Sequence, residues 1–177
     1  AIEGNNGFGG VVYTTTGSDF AEQLERLQPS EKIEAGDVVG VFGGKISKRT
    51  QGADWVMAIS TSAAFVGNAD MVEDKTKSTR ETVAFVGQIP VKTRGPVQIG
   101  DYLISSGKED GTAIAPEALL PEYANLIIGR AWESSAGGRG LVNTIVGLPE
   151  TASTTSALAK QVEALKKENE ALVQRFK

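Results

Sequence analysis

The strongest constraint on the fold of this chain is a seven-residue repeat in its last twenty residues. One Asn and five apolar residues recur at spacings that alternate between four and three: Leu158, Val162, Leu165, Asn169, Leu172 and Phe176. The three leucines occupy heptad position d, and the other three residues occupy position a. A helix this short is marginal alone in water and gains most of its stability from packing. The repeat therefore predicts a helix over residues 157–177 that needs a partner.

Asn169 distinguishes between two kinds of partner for this helix. The helix could fold back onto its own domain, or helices of identical chains could form a short parallel coiled coil. A polar residue at position a costs stability and fixes the register between aligned helices, so Asn169 favours the coiled coil. The heptad pattern alone is compatible with two or three strands.

The composition predicts a domain of short strands and turns, and it excludes several classes of function. The chain has 21 Gly, 40% hydrophobic residues and 6% aromatic residues, a mixture typical of β structure. It has no His and no Cys, so the usual general base, zinc ligands and disulfides are absent. With a net charge of −4 and no basic block or long apolar run, we expect no nucleic-acid partner and no membrane insertion. No cofactor or metal site is expected either.

Two stretches of the chain, residues 33–39 and residues 97–103, resemble each other. In each, an apolar residue stands three positions before a Gly-Asp pair, and apolar residues follow. Gly permits a turn conformation that other residues avoid, and Asp can bind the nearby backbone. The predicted turn residues are Gly36, Asp37, Gly100 and Asp101. The pattern predicts two weakly similar β units in one compact, barrel-like domain, with a coincidence between two hairpins as the alternative.

The similarity extends past the turns, where Ile46 is matched with Ile114 and Ala58 with Gly129. Periodicity leaves residues 20–27 undecided between a helix and a strand. Residues 70–81 are charged and predict a loop, and residues 141–146 predict a strand that closes the sheet. The predicted organisation is an N-terminal extension over 1–16, a β assembly domain over 17–149, a linker over 150–156 and the coiled-coil helix over 157–177.

Several short motifs occur along the chain in an order that points to one family. They are Ser18-Asp19-Phe20-Ala21-Glu22, Ala58-Ile59-Ser60-Thr61, Phe65-Val66-Gly67-Asn68, Arg94-Gly95-Pro96-Val97 with Gly100-Asp101, and Ile128-Gly129-Arg130-Ala131. Over roughly residues 17–149 the chain resembles the C-terminal intramolecular-chaperone, auto-processing domain of bacteriophage tail spikes, tail fibres and neck appendages. The resemblance implies a β-rich homotrimer at the end of a fibre, which clamps the upstream shaft. It also implies a location in the virion, outside the cell after release.

The resemblance implies a second activity, because some members of the family cut their own chain near the Ser-Asp motif. Ser18 is the candidate nucleophile for an N-to-O acyl shift at the Gly17 carbonyl. Asp19 or Glu22 is the candidate proton shuttle, provided that burial raises its pKa. A third possibility is a fibre tip that binds a host-surface receptor through loops 70–81 or 105–112.

Overall fold

The computed structural model describes residues 2–4, 11–13, 17–69, 79–147, 162 and 164–169. Two short strands, β1 (Ile2–Gly4) and β2 (Val11–Tyr13), form an antiparallel pair. The strands of the main sheet are β3 (Asp19–Arg26), β4 (Val38–Phe42), β5 (Lys45–Ser47), β6 (Trp55–Ile59), β7 (Phe65–Val66), β8 (Arg80–Arg94), β9 (Tyr102–Ser105), β10 (Ala113–Ile114), β11 (Ile127–Ala131) and β12 (Arg139–Val146). A 3₁₀ helix spans Pro121–Leu126, and residues 162 and 164–169 are helical.

The first barrel is a closed ring formed by β3, β4, β5, β6 and the N-terminal half of β8. β3 pairs in parallel with β5, and the antiparallel pairs β5–β4, β4–β6, β6–β8 and β8–β3 complete the ring. Closing a sheet on itself removes its exposed edges and creates an interior for apolar side chains. That interior holds Ile33, Val39, Ile46, Ile59 and Val83.

The second barrel is formed by the C-terminal half of β8 together with β9, β10, β11 and β12. β8 pairs in parallel with β10, and the antiparallel pairs β10–β9, β9–β11, β11–β12 and β12–β8 return to the start. The prediction that residues 141–146 close the sheet is confirmed, because β12 is the strand that completes this ring. The core cluster here includes Ile89, Val91, Val97, Leu103, Ala113, Ile128, Ala131, Val142 and Val146.

The two barrels have the same topology. When the strands of each ring are numbered in chain order, the first lies parallel to the third, and the neighbours follow the order 1-3-2-4-5. β8 is the fifth strand of the first barrel and the first strand of the second. The predicted pair of similar β units in a barrel-like domain is therefore confirmed, and the repeated unit is a five-stranded barrel.

The two Gly-Asp turns match bond for bond. The Gly36 N–H donates to the carbonyl of Ile59 and the Ile59 N–H donates to the carbonyl of Asp37, at 3.0 and 2.8 Å. In the second barrel, Gly100 and Asp101 make the same two bonds with Ala131, at 2.8 and 2.9 Å. Each Asp carboxylate also accepts the N–H of the residue three positions earlier, at 2.8 Å in both turns.

Two details of the predicted repeat are wrong by one residue. Ile46 pairs with Val41, and its counterpart in the pairing of β9 with β10 is Ala113 rather than Ile114. Ala58 pairs with Val38 in the first barrel. The residue at the same position in the second barrel is Arg130, which pairs with Tyr102, and not the predicted Gly129. A register shift between Ile127 and Gly129 displaces β11 by one residue relative to β9. No residue type in the sequence marks this irregularity.

The undecided stretch after Asp19 is the strand β3 rather than a helix. Exposed Phe20 lies between buried Asp19 and buried Ala21, which is the period-two alternation of a strand on a barrel wall. The predicted loop over 70–81 ends earlier than expected, because β8 begins at Arg80. Its residues 70–78 lie outside the described residues.

Candidate functional site

The Ser-Asp motif lies where β3 begins, against the point at which β8 passes from one barrel to the other. The Ser18 hydroxyl donates to the Gln88 carbonyl at 2.7 Å, and the Gln88 N–H donates back to the Ser18 carbonyl at 3.2 Å. Gly87 lies beside this pair with a φ of 133°, and a Cβ there would lie 2.4 Å from the Ser18 carbonyl oxygen. Only a glycine lets the two strands approach this closely. Ser18 is therefore held in place from both its side chain and its backbone.

Asp19 is a buried carboxyl group next to Ser18. Its side chain is 2% exposed, and Oδ1 accepts a hydrogen bond from the Ser60 hydroxyl at 3.1 Å. Oδ2 is buried without a hydrogen-bond partner among the described residues. Burial raises the pKa of Asp19, and the bond from Ser60 only partly opposes this shift. Asp19 therefore retains a proton more readily than an ordinary Asp, as a proton shuttle requires.

Glu22 does not share this environment. On β3, side chains alternate between the two faces of the barrel wall, so Asp19 and Glu22 lie on opposite faces. A Cβ on Gly67 would lie 3.4 Å from Glu22 Oε1 and 3.0 Å from Phe20 Cζ, so Glu22 lies beside Phe20, on the face of β3 that also carries Leu24 of the first barrel's core. Of the three candidate residues, the structure brings Ser18 and Asp19 together and leaves Glu22 apart.

Ser60 belongs to this site, although the sequence analysis predicts no role for it. It lies directly after β6, and its N–H donates to the Thr82 carbonyl at 2.8 Å. In the second barrel the same backbone bond is made by Trp132 to Asn143, at 2.8 Å. The barrel topology therefore does not require a hydroxyl at this position, and the only signal in the sequence was the Ala58-Ile59-Ser60-Thr61 motif.

The peptide that precedes Ser18 is covered by the backbone that follows Ser60. A Cβ on Gly17 would lie 2.2 Å from the Ser62 carbonyl oxygen and 2.4 Å from the Ala64 nitrogen. The Ala64 N–H donates to the Asp19 carbonyl at 2.8 Å, which fixes this covering segment on β3. No side chain fits at position 17, so the Gly17–Ser18 peptide and the Asp19 carboxyl lie in one tightly packed region.

A charged cluster joins the first barrel to the second at the first Gly-Asp turn. The buried Asp37 carboxylate accepts the Glu34 N–H at 2.8 Å and Lys92 Nζ at 2.7 Å, and Lys48 Nζ lies 3.7 Å away. Lys92 also bonds Glu34 at 2.8 Å. Desolvation lowers the pKa of Lys92, but the bonds to Asp37 and Glu34 outweigh it and raise the pKa above its ordinary value. This cluster is fully paired and has a structural role.

A second cluster surrounds Asp110 in one of the two loops considered for receptor binding. Asp110 Oδ2 bonds Arg139 at 2.8 Å and Arg94 at 3.3 Å, while Oδ1 accepts the hydroxyls of Thr112 at 2.6 Å and Ser106 at 3.0 Å. Desolvation raises the pKa of Asp110, but these hydrogen bonds and the charge of Arg139 outweigh it and hold the pKa below its usual range. The loop is thereby bound to the ends of β8 and β12.

Other kinds of site have little support in the described part of the chain. Among those residues, no group of three acidic, His or Cys side chains is placed to hold a metal ion. No described helix has the length and apolar character needed to cross a bilayer.

The described part of the predicted coiled-coil helix is exposed. Val162 is 46% exposed and Leu165 is 64% exposed, and Asn169 is exposed as well. The remaining seam residues, Leu158, Leu172 and Phe176, lie outside the described residues. The pairing of this seam with other chains stays a prediction.

The comparisons with known proteins identify the fold. No family model matches the chain, and no curated protein matches it. The crystal structure of the C-terminal fragment of bacteriophage phi29 gene product 12 is similar, with a TM-score of 0.51 and 20% identity, over 72% of this chain and 99% of that fragment. The crystal structure of the pre-mature bacteriophage phi29 gene product 12 is also similar, with a TM-score of 0.52 and 20% identity, over 80% of this chain and 23% of that one. The chain thus has the fold found in the C-terminal part of a phage protein.

Proposed function

We propose that this chain is the C-terminal assembly module, or intramolecular chaperone, of a phage tail fibre or tail appendage protein. The observation that carries the proposal is the fold similarity to a C-terminal fragment of a phage protein, which extends over 99% of that fragment. The heptad seam with Asn169 supports it independently, because a polar residue at position a favours aligned partner helices.

In this proposal the chain works as a trimer of identical copies. β8 connects the two barrels of each copy, and the helices of three copies align along their seams. The helices raise the effective concentration of the attached domains, so modest contacts between domains are enough to complete the assembly. The three upstream shaft segments, joined through residues 1–16, then start folding side by side.

Light scattering on the full chain tests the assembly. We expect a mass of three copies, and we expect Leu165→Glu to shift the population towards single copies because it places a charge in the seam. Lys167→Glu is the matched control, since Lys167 lies at the outward position f of the heptad. A full chain that is monomeric at micromolar concentration would refute the proposed function.

A second function, cleavage of its own chain, is supported by the buried Asp19 carboxyl next to Ser18. The Ser18 oxygen would attack the Gly17 carbonyl carbon, and an ester would replace the amide. The carboxyl of Asp19 would deliver a proton to the departing nitrogen and would be restored by the proton that the Ser18 hydroxyl loses. Water would then hydrolyse the ester, leaving a carboxylate on Gly17 and a free amine on Ser18.

Incubation of the purified chain at neutral pH, followed by mass spectrometry, tests this reaction. We expect a fragment that begins at Ser18, and we expect Ser18→Ala and Asp19→Asn to prevent its formation. Glu22→Gln is the matched control, because Glu22 lies on the other face of β3. If the chain stays intact and Ser18→Ala changes nothing, the chain does not cleave itself at this peptide.

A further inference from the structure

The two oxygens of the buried Asp19 carboxyl have unequal surroundings. Oδ1 accepts the Ser60 hydroxyl at 3.1 Å, whereas Oδ2 is buried without a hydrogen-bond partner among the described residues. An ionised carboxylate only accepts hydrogen bonds, and leaving one of its buried oxygens without a donor is costly. In a protonated carboxyl, one oxygen carries the proton and the other accepts. The unequal surroundings of the two oxygens match this second form.

Backbone bonds hold both side chains in place, and these bonds do not depend on the contact between them. The Ser60 N–H donates to the Thr82 carbonyl at 2.8 Å. The Asp19 carbonyl accepts the Ala64 N–H, also at 2.8 Å. On the other side, a Cβ on Gly87 would lie 2.9 Å from the Asp19 Cβ, so β8 leaves the carboxyl group little room to move. The strands therefore bring the Ser60 hydroxyl to Oδ1.

The fold does not explain why position 60 carries a hydroxyl. In the second barrel Trp132 occupies the same place and makes the same backbone bond, to Asn143. Ser60 is 8% exposed, so its hydroxyl needs a buried partner, which the Asp19 carboxyl supplies. An Ala at this position would keep the backbone bond and would need no polar partner. The hydroxyl is therefore explained by its effect on Asp19.

We propose that Ser60 is a positioning residue for self-cleavage, whose hydroxyl occupies Oδ1 of Asp19 and leaves Oδ2 as the oxygen that carries and delivers the proton. The inference rests on the proposed cleavage at the Gly17–Ser18 peptide. In that reaction the Ser18 oxygen forms a bond to the Gly17 carbonyl carbon, and the bond from this carbon to the Ser18 nitrogen breaks. The nitrogen takes the proton from Oδ2, and the proton lost by the Ser18 hydroxyl restores the carboxyl.

The direction of the hydrogen bond from Ser60 sets the expected pH dependence of cleavage. Because the hydroxyl donates to Oδ1, it favours the carboxylate and opposes the rise in the pKa of Asp19 that burial causes. The Asp19 N–H acts in the same direction, and no charged side chain of the described residues is among the causes of the shift. Cleavage needs the protonated carboxyl, so its rate falls as the pH rises through the folded pKa. Removal of the hydroxyl moves this fall to higher pH.

Mass spectrometry of the full chain, incubated at a series of pH values, measures this profile. We expect Ser60→Ala to move the midpoint of the fall to higher pH. We also expect it to lower the rate on the acid side by about twofold, because either oxygen can then carry the proton. Ser60→Thr keeps a hydroxyl and should restore the wild-type midpoint. Thr61→Val is the matched control, since it removes an exposed hydroxyl one residue later.

A carbon NMR titration of the Asp19 carboxyl tests the same inference without cleavage. Ser18→Ala provides an intact chain, Asp19→Asn assigns the resonance, and thermal melting checks that each variant folds. Adding Ser60→Ala to Ser18→Ala should raise the pH at which the Asp19 carboxyl titrates. A titration that does not move overturns the inference. A titration that moves to lower pH also overturns it, because the hydroxyl would then accept the Asp19 proton instead of donating its own.

The two experiments distinguish failure of the inference from failure of the proposed cleavage. If the wild type forms no fragment, the proposed cleavage fails, and the role of Ser60 in it fails as well. If the wild type forms the fragment but Ser60→Ala leaves both the cleavage midpoint and the titration unchanged, the inference alone is overturned. A loss of rate with no movement of the midpoint would mean that Ser60 only stabilises the barrel.

Discussion

Asp37 and Asp101 occupy the same position in the two Gly-Asp turns, but their surroundings differ. Both carboxylates accept the N–H three residues earlier, which is the local bond that closes the turn. Asp37 is also buried and bonded to Lys92 across the boundary between the barrels. Asp101 is half-buried, and among the described residues its carboxylate accepts only the turn bond from the Gln98 N–H. Because the turn occurs twice, a comparison of Asp37 with Asp101 separates the contribution of the turn bond to stability from the contribution of the buried ion pair.

We expect Asp37→Ala to lower the free energy of unfolding by about 3 kcal/mol, because it removes a turn bond and leaves Lys92 without its buried partner. Asp101→Ala is the internal control and should cost about 1 kcal/mol, the value of a single hydrogen bond. Urea unfolding of both variants gives the comparison. Equal losses would mean that the bond to Lys92 contributes nothing to stability.

The raised pKa of Asp19 predicts a pH dependence of stability. Burial makes the folded state hold this proton above the ordinary value of 3.8, at which the unfolded chain releases it. The folded state then binds more protons than the unfolded chain, so stability falls as pH rises from 3.8 through the folded pKa. Asn at position 19 has no proton to release, so Asp19→Asn does not lose this stability. The stability of Asp19→Asn relative to the wild type should therefore rise as the pH goes from 3.8 through the folded pKa, and stay constant above it.

Asp110 supplies a control of opposite sign. Its folded pKa is lowered, so its contribution is present above pH 3.8 and is lost as the pH falls through the folded pKa. Guanidinium unfolding between pH 3 and pH 8 should therefore show that Asp110→Asn is at its greatest disadvantage near neutral pH. A flat difference in stability between Asp19→Asn and the wild type would contradict a raised pKa for Asp19 in the folded state.

At the scale of elements, the sharing of β8 between the two barrels is the feature that the sequence predicts least well. It is 15 residues long and belongs to both barrels, and Gly87 stands where it passes between them. The Gly-Asp turns were predictable because their bonds are local and depend on two residue types. The shared strand and the register shift near Gly129 were not predictable, because both depend on pairing between distant segments. The sequence likewise gives no sign that the large side chains of Trp55 and Trp132 are both exposed.

Because both barrels include β8, we expect them to unfold together. Ile89 is fully buried in the second barrel, and Ile89→Ala should cost about 2–4 kcal/mol through the cavity that it leaves. Trp55 reports on the first barrel and Trp132 on the second, so Trp132→Phe and Trp55→Phe give one reporter each. When Ile89→Ala is added to each of these two variants, the denaturant midpoint should fall, and it should fall to the same value in both. Two separate midpoints would show that the barrels fold independently.

At the scale of the whole molecule, the Ser18–Asp19 site and the end of the second barrel at Gly147 lie in one region, because Gly87 packs against Asp19 and Gly147 packs against Val86. The Asp37 and Asp110 clusters are instead satisfied within the chain. The unpartnered Oδ2 of Asp19 lies in this region. Exposed large apolar side chains, in contrast, are spread over both barrels and include Trp55, Ile99, Trp132 and Leu141. The buried carboxyl of Asp19, rather than exposed apolar surface, is therefore what distinguishes this region from the rest of the described chain.

The proposed coiled coil makes its own prediction at this scale, because Asn169 is expected to trade stability for a defined number of strands. Asn169→Val should raise the melting temperature of the assembly, since an apolar residue replaces a polar one in the seam, and should also produce a mixture of oligomers. Native mass spectrometry counts the copies, and Lys167→Val at an outward position is the control. If Asn169→Val changes neither the melting temperature nor the number of copies, the side chain does not lie between helices, and the heptad cannot be what selects the assembly.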